Sequence, residues 1–437
     1  MSISEPGLAV QARGPLPSDL VRPERIHRSI YLDEDLFKAE MEKIFYTTWI
    51  YVGHESEVAK PGDYKTAHIG LQPVILARHE DNEIYVMLNR CTHRGATVCQ
   101  EATGNSSYFR CEYHGWMFKN DGQLVNPTFS ERYEDTGFDK ADYGLPRAPR
   151  VDSYRGMIFA SLKPEGESLV DFLGNAAPFI DLAFDLAPEG TVSVNSGNHK
   201  YSYDGNWKFQ SENGVDGYHP NFTHKAFFEA TGIAAAMNIF GPKSEGRAGA
   251  LGNGHGILDS RPMMREFGKL ALMSPQGQRN VESLAERLGS KEKAEEVLLS
   301  GGTGGFNLLI YPNILMIGNQ IRVVNPRKVL ETDVDIYPYL LDGATDEQNE
   351  GRLRSHEEFY GAAGGGGPDD VEMFRRVFSG LNCEGFPGVD WLDLSRGFNR
   401  SVVEDGVEWG HVTDEVPQRG FYSKWLEDME PAGSEGS

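Results

Sequence analysis

Cys91-Thr92-His93 is followed, after 17 residues, by Cys111-Glu112-Tyr113-His114. Each loop offers one thiolate and one imidazole, so the fold has to bring two separate loops together before either binds anything. A ligand set of this kind can hold one tetrahedral zinc. It can also hold a 2Fe-2S cluster, with the two cysteines on one iron and the two histidines on the other. The spacing C-x-H then C-x-x-H favours the cluster, because common zinc modules pair cysteines as C-x-x-C. Glycine follows in both loops, at Gly95 and Gly115, and a residue without Cβ lets backbone N–H groups approach a sulfide.

The rest of the cysteine inventory narrows the chemistry. The 437 residues contain four cysteines and twelve histidines. That is far too few cysteines for the disulfide framework of a secreted scaffold. Met1 to Leu20 has no apolar core of a secretory signal, and no stretch approaches the roughly 18 apolar residues of a membrane span. A protein of the reducing cytoplasm is expected. Lys and Arg total 42 against 65 Asp and Glu, a net charge of −23, which argues against nucleic acid or an anionic membrane as partner. Cys99 and Cys383 are too few for a second, all-cysteine cluster. No G-x-G-x-x-G stands between a strand and a helix either, so the chain has no visible means of taking hydride from a nicotinamide. Its electrons must come from a separate reductase, directly or through a ferredoxin.

Along the chain, residues 1–49 read as an extended arm (1–25) followed by a helix from Leu32 to Trp49, with Asp33 and Asp35 at its acidic start. Residues 50–162 carry short β-rich runs (PVILAR, EIYVMLN, SYFRC, GMIFASL) and a turn at Lys119-Asn120-Asp121-Gly122. Residues 163–437 mix strands (LLIYPNILMI, TDVDIYPYLL) with a helix over SLAERLGSKEKAEEVLL.

A second constellation lies in the third segment, where His219 and His224 are five residues apart. On a regular helix they would not share a face. Pro220 is expected to kink the helix at His219 and swing both imidazoles toward one point. Asp216, three residues earlier, is placed to hydrogen-bond the second nitrogen of His219. Two histidines need a carboxylate to complete the facial triad of non-haem Fe(II). Asp369-Asp370, at the start of a predicted helix, are the candidates, with Asp369 expected to cap the helix and Asp370 to ligate.

Together, Cys91/His93/Cys111/His114 and the later GNWK…EN-x-x-D-x-YH-x4-H resemble the large (alpha) subunit of Rieske non-haem iron aromatic-ring-hydroxylating dioxygenases. WIYVGHES, NRCTHRGATVC, YDGNWKFQSENGVDGYH, LIYPN and PDDVEMFR are most similar to the benzoate/toluate branch. The resemblance implies an α+β fold: a β-rich Rieske 2Fe-2S domain, and a catalytic domain whose antiparallel sheet curves around helices (helix-grip type) and receives the N-terminal helix. It implies Cys91, His93, Cys111 and His114 as cluster ligands, and His219, His224 and Asp370 as ligands of a mononuclear iron. Asn213 would stand beside that iron. Asp216 would bridge it to the Rieske histidine of a neighbouring subunit in a homotrimer, or in an α3β3 assembly with a small beta subunit.

The implied activity is that of a terminal oxygenase, using O2 and electrons drawn from NAD(P)H by a reductase to cis-dihydroxylate a small aromatic substrate. The branch suggests an aromatic carboxylic acid, with Arg322 and His255 as possible pocket neighbours beside their ordinary readings as an ion pair and a satisfied loop histidine. The segment AAAMNIFG (234–241) is a candidate pocket wall. Monooxygenation, demethylation or hydroxylation of a bulkier arene fits the same scaffold. A pure electron carrier would leave 163–437 without a purpose, and a zinc-stabilised binding module would be colourless. An acidic electron donor would need a locally basic landing place, near Arg94 and Arg110.

Overall fold

The computed structural model describes residues 16–232, 241–301 and 305–430. Asp33 starts the first long helix: its Oδ1 accepts from the N–H groups of Asp35 (2.8 Å) and Leu36 (2.9 Å), donors with no partner inside the helix. The helix, α1 (Glu34–Glu40), continues as a π-helical turn over Met41–Phe45 and buries Leu36, Phe37, Met41, Ile44 and Phe45. It therefore ends at Phe45, short of the expected Trp49. The expected extended arm is folded where it is described: Pro17–Leu20 is a helical turn, and Arg25–His27 pairs with both Val21–Arg22 and Trp391–Asp393.

Ten short strands follow: β1 (Ile50–His54), β2 (Asp63–Ile69), β3 (Gln72–Arg78), β4 (Ile84–Leu88), β5 (Thr103–Asn105), β6 (Tyr108–Arg110), β7 (Met117–Lys119), β8 (Leu124–Asn126), β9 (Arg150–Tyr154) and β10 (Met157–Ser161). They form three antiparallel sheets, ordered β4-β3-β2-β5, β8-β7-β6 and β9-β10-β1. The period of two in β3 separates two cores. Val74 and Leu76 join the large apolar cluster shared with Trp207 and Trp425, while Ile75 and Ala77 pack with Cys91, Cys111 and Trp116.

The rest of the chain is built on one antiparallel sheet of nine strands. In chain order they are β11 (His199–Tyr203), β12 (Arg247–Gly252), β13 (His255–Asp259), β14 (Phe306–Ile310), β15 (Ile314–Ile317), β16 (Gln320–Lys328), β17 (Glu331–Pro338), β18 (Val402–Glu404) and β19 (Val407–His411). In space the order is β11-β17-β16-β15-β14-β13-β12-β19-β18. Leu309, Leu315 and Ile336 point to one face, and Leu308, Ile310 and Met316 to the other. The helices relevant below are α2 (Lys208–Asn213), α3 (Pro220–Thr223), α4 (Pro275–Leu288), α5 (Lys291–Gly301), α6 (Asp346–Tyr360), α7 (Gly367–Leu381) and α8 (Val416–Met429). The architecture is α+β. The single helix expected over SLAERLGSKEKAEEVLL is two, α4 and α5, because Gly289 adopts φ +79° and ends α4 in the left-handed conformation that glycine tolerates best. No helix among the described residues is long and apolar enough to cross a membrane.

A buried ion pair ties α1 to this second half. Glu40 Oε1 accepts from Lys208 Nζ (2.5 Å) and Trp425 Nε1 (2.7 Å), and its Oε2 accepts from Trp207 Nε1 (2.9 Å). All four residues are 0% exposed. Burial pushes the Lys208 amine down, and the charge of Glu40 acts against that shift. Glu40→Ala strands a buried ammonium and is expected to cost about 3–5 kcal/mol. Glu40→Met combined with Lys208→Met should cost less than Glu40→Ala alone. Denaturation of the three variants checks the order, and a double variant as unstable as Glu40→Ala contradicts it.

Candidate metal centres and the cavity between helices

The two Cys/His loops are near copies of each other. Cys91 N–H donates to Ala96 O and Gly95 N–H to Cys91 O, both at 2.8 Å; Cys111 N–H donates to Trp116 O and Gly115 N–H to Cys111 O, again both at 2.8 Å. Each turn closes through a glycine at positive φ, +79° for Gly95 and +74° for Gly115, where a Cβ would be strained. Cys91 and Cys111 are buried at the bases of the loops. The His93 and His114 rings stand 4.6 Å apart, and His93 stacks on Trp116 at 4.8 Å and 9°. His93 Nδ1 is buried with no hydrogen-bond partner. An orphaned imidazole nitrogen, two buried thiols and a second imidazole fit the donor set of a 2Fe-2S cluster of this type.

The second constellation forms differently from the sequence expectation. Helix α2 stops at Asn213, and Pro220 opens the new helix α3 instead of kinking an existing one. The absent N–H of proline costs nothing at a first helical position. His219 and His224 thus flank a single short helix. Asp216 does not share a helix face with His219. It lies in the preceding turn, where its Oδ1 accepts from Tyr218 N–H (2.9 Å) and His219 N–H (3.0 Å). The outer nitrogen of His219, Nδ1, is 3.1 Å from the Asp216 carbonyl and 3.6 Å from its carboxylate.

Helix α7 supplies the acid. Its N-cap is Gly366, with no side-chain cap, so Asp369 does not have the expected capping role. Asp369 Oδ2 lies instead 3.7 Å from His224 Nδ1, facing the outer nitrogen of that histidine. Asp370 Oδ1 is 3.2 Å from His224 Nε2 and 3.5 Å from His219 Nε2, and it accepts from Asn213 Nδ2 at 3.2 Å. The ligand atoms of His219, His224 and Asp370 all lie within 4.8 Å of one another. Facial ligands at about 2.1 Å from one metal stand about 3 Å apart, so the set fits a divalent iron. Burial works against charge on Asp370 and His219, and their mutual attraction outweighs it. The Asp370 carboxyl is held well below the usual range, and His219, also drawn by Asp216, is raised to about 9.

A cavity of about 280 Å³ is lined by these three residues together with Leu258, Ile317, Phe359, Arg322 and His356. The Phe359 ring meets His224 edge-on at 5.0 Å. His255 is not part of this wall. It is buried, its Nε2–H donates to Phe172 O (2.7 Å) and its Nδ1 accepts from Tyr311 N–H (3.0 Å), with burial lowering it to about 4. It is a structural histidine that links β13 to the strand-ending Tyr311. Of AAAMNIFG, residues 234–240 lie outside the described residues. Nothing in the sequence marked His356 as a pocket residue, since it sits in α6, a polar helix without an apolar stripe.

Residues 48–138 match the Rieske [2Fe-2S] domain family, and residues 193–430 match the catalytic domain of the ring-hydroxylating alpha subunit. The large subunit of 2-halobenzoate 1,2-dioxygenase from Burkholderia cepacia is 36% identical over 388 residues, covering 85% of this chain and 80% of that protein. Toluate 1,2-dioxygenase subunit alpha from Pseudomonas putida is 33% identical over 395 residues, covering 85% and 81%. Among solved structures, naphthalene 1,2-dioxygenase with indole bound in the active site superposes with a TM-score of 0.80 at 26% identity, over 94% of this chain and 93% of that one.

Proposed function

This chain belongs to the ring-hydroxylating alpha-subunit family of Rieske non-haem iron dioxygenases, in its benzoate/toluate branch, and from that premise we propose its reaction. It is the terminal oxygenase component that cis-dihydroxylates a small aromatic carboxylic acid, with O2 and with electrons from a separate NAD(P)H reductase or ferredoxin. The observation that carries this reading is the meeting of three metal-ligating atoms with a largely apolar cavity of about 280 Å³, a size suited to one substituted ring. Relatives named for halobenzoate and toluate support an acid as substrate.

In this reading Cys91, His93, Cys111 and His114 hold the cluster, and His219, His224 and Asp370 hold the iron. When bound, the cluster supplies single electrons and the iron supplies the point at which O2 is activated. The protein supplies position. Asn213 donates to the Asp370 carboxylate, the Asp216 turn fixes His219, and Phe359 backs His224, so each ligand has a neighbour that sets its orientation. Leu258, Ile317 and Phe359 would offer a bound ring apolar surface.

One aromatic side chain beside each centre is exposed, Tyr113 within the second Cys/His loop at 62% and Phe222 within α3 at 79%. These two exposed rings suit coverage by a neighbouring subunit, in keeping with a homotrimer in which Asp216 connects one chain's cluster to the next chain's iron. A small beta subunit would complete an α3β3 assembly. Arg94 and Arg110 are exposed and make no ion pair among the described residues, as a landing place for an acidic donor requires. The free cysteines suit the cytoplasm. The three small sheets between Ile50 and Ser161 support 50–162 as the electron-carrying domain, with 1–49 packed on the catalytic domain, 163–437.

Turnover of benzoate and its ring-substituted analogues under 18O2 with a reductase tests the reading. The expected product is a cis-dihydrodiol acid carrying both labelled atoms. One labelled atom, or turnover of neutral arenes alone, contradicts it.

A further inference from the structure

Three cations among the described residues are buried: Lys65, Lys208 and Arg322. Two have a carboxylate in contact, Glu57 at 2.8 Å from Lys65 and Glu40 at 2.5 Å from Lys208. Arg322 does not. It is 2% exposed, its Nε has no hydrogen-bond partner, and no carboxylate stands within ion-pair distance of it among the described residues. Its guanidinium lies 5.2 Å from the centre of the Tyr360 ring. A ring face compensates a buried cation only in part, and an unpaired buried charge is costly. A ligand that brings a negative charge into contact with it would offset that cost.

Arg322 sits on β16 between Leu315 of β15 and Ile336 of β17, and it lines the same cavity as His219, His224 and Asp370. His356 of α6 lines that cavity too. It is 1% exposed, with neither ring nitrogen partnered. Burial holds its imidazole down to about 4, so it enters as a neutral donor and Arg322 carries the only positive charge of the pair. Among the described residues, the cavity therefore brings together the metal-ligating set, apolar walls, one cation without a carboxylate partner and one imidazole without a hydrogen-bond partner.

We propose that Arg322, assisted by His356, is the carboxylate anchor of this cavity and fixes the acid group of an aromatic substrate so that the ring reaches the His219/His224/Asp370 set. This inference rests on the aromatic-acid reading and assigns the residues that impose it. Guanidinium matches carboxylate through paired N–H donors, which a neutral substrate of the same shape cannot use fully.

Equilibrium binding of benzoate and of its neutral isostere benzamide to the anaerobic, fully metallated enzyme tests the assignment by calorimetry, without turnover. Wild type should prefer benzoate. Arg322→Gln should weaken benzoate by about 10- to 100-fold and benzamide far less, so the preference collapses. Arg322→Lys, which keeps a point charge, should retain part of it. Should Arg322→Gln lose iron or cluster absorbance, Arg322→Lys decides: an unchanged preference there contradicts the anchor. Benzoate and benzamide affinities falling together in Arg322→Gln contradict it as well. Wild type that prefers benzoate while Arg322→Gln keeps that preference overturns the anchor alone. Wild type that binds benzamide as well as benzoate and hydroxylates only neutral arenes overturns the aromatic-acid reading itself.

Discussion

Asp370→Ala is expected to lose the mononuclear iron and at least about a thousandfold in turnover while keeping the visible absorbance of the cluster. Asp370 contributes the one carboxylate oxygen in the three-atom set, at 3.2 and 3.5 Å from the two imidazole nitrogens. Without it, two imidazoles remain, a ligand set that brings no negative charge to a divalent ion. The cluster loops belong to other sheets, around Cys91, Cys111 and Trp116, so their occupancy should be unaffected. Asp369→Ala provides the contrast. Asp369 faces only the outer nitrogen of His224, at 3.7 Å, and loss of such a partner weakens metal binding or activity by about 10- to 100-fold. Metal analysis of both variants beside their absorbance spectra checks the pair. Iron retained in Asp370→Ala and lost in Asp369→Ala would move the ligand by one residue.

The second large effect falls on electron delivery. Asp216→Asn preserves an acceptor for the N–H groups of Tyr218 and His219, now at 2.9 and 3.0 Å, and removes only the charge. Asp216→Ala removes both and loosens the turn that presents His219. Both variants should hold iron and cluster near wild-type levels. Turnover with reductase should fall at least about a hundredfold in Asp216→Asn, the scale of a misplaced reacting group, and further in Asp216→Ala. The specific readout is reoxidation of the reduced cluster in a single turnover, which a merely structural role of the turn would leave intact in the Asn variant. Reoxidation at the wild-type rate in Asp216→Asn would show that the charge of Asp216 takes no part in linking the two centres, and Asp216→Glu should restore part of the rate if it does.

The sites were legible in the sequence where short-range chemistry dictates the backbone. Each Cys/His loop closes on its own glycine within five residues, so spacing alone defines its shape. The meeting of His219 and His224 with Asp370 follows from residue type, because two histidines call for an acid and a helix start at Asp369-Asp370 offers one. What the sequence left out depends on tertiary context. A proline after a histidine is compatible with a kink or a fresh start, and only the end of α2 at Asn213 decides for the start. Asp369 reads as a cap until Gly366 is seen to occupy that position. The run SLAERLGSKEKAEEVLL reads as one helix until the φ of +79° at Gly289 splits α4 from α5. Arg322 and His255 look alike as buried polar candidates. Their difference lies in partners: His255 has both nitrogens satisfied by backbone, and Arg322 has a ring face and a cavity.

One chain carries two distinct iron centres, and elemental analysis counts both. Purified anaerobically, the protein should contain three irons and two acid-labile sulfides per chain, a [2Fe-2S] cluster plus one mononuclear iron. It should be coloured and free of stoichiometric zinc. A colourless protein with zinc, or one holding two irons and two sulfides even after incubation with Fe(II), would contradict the account.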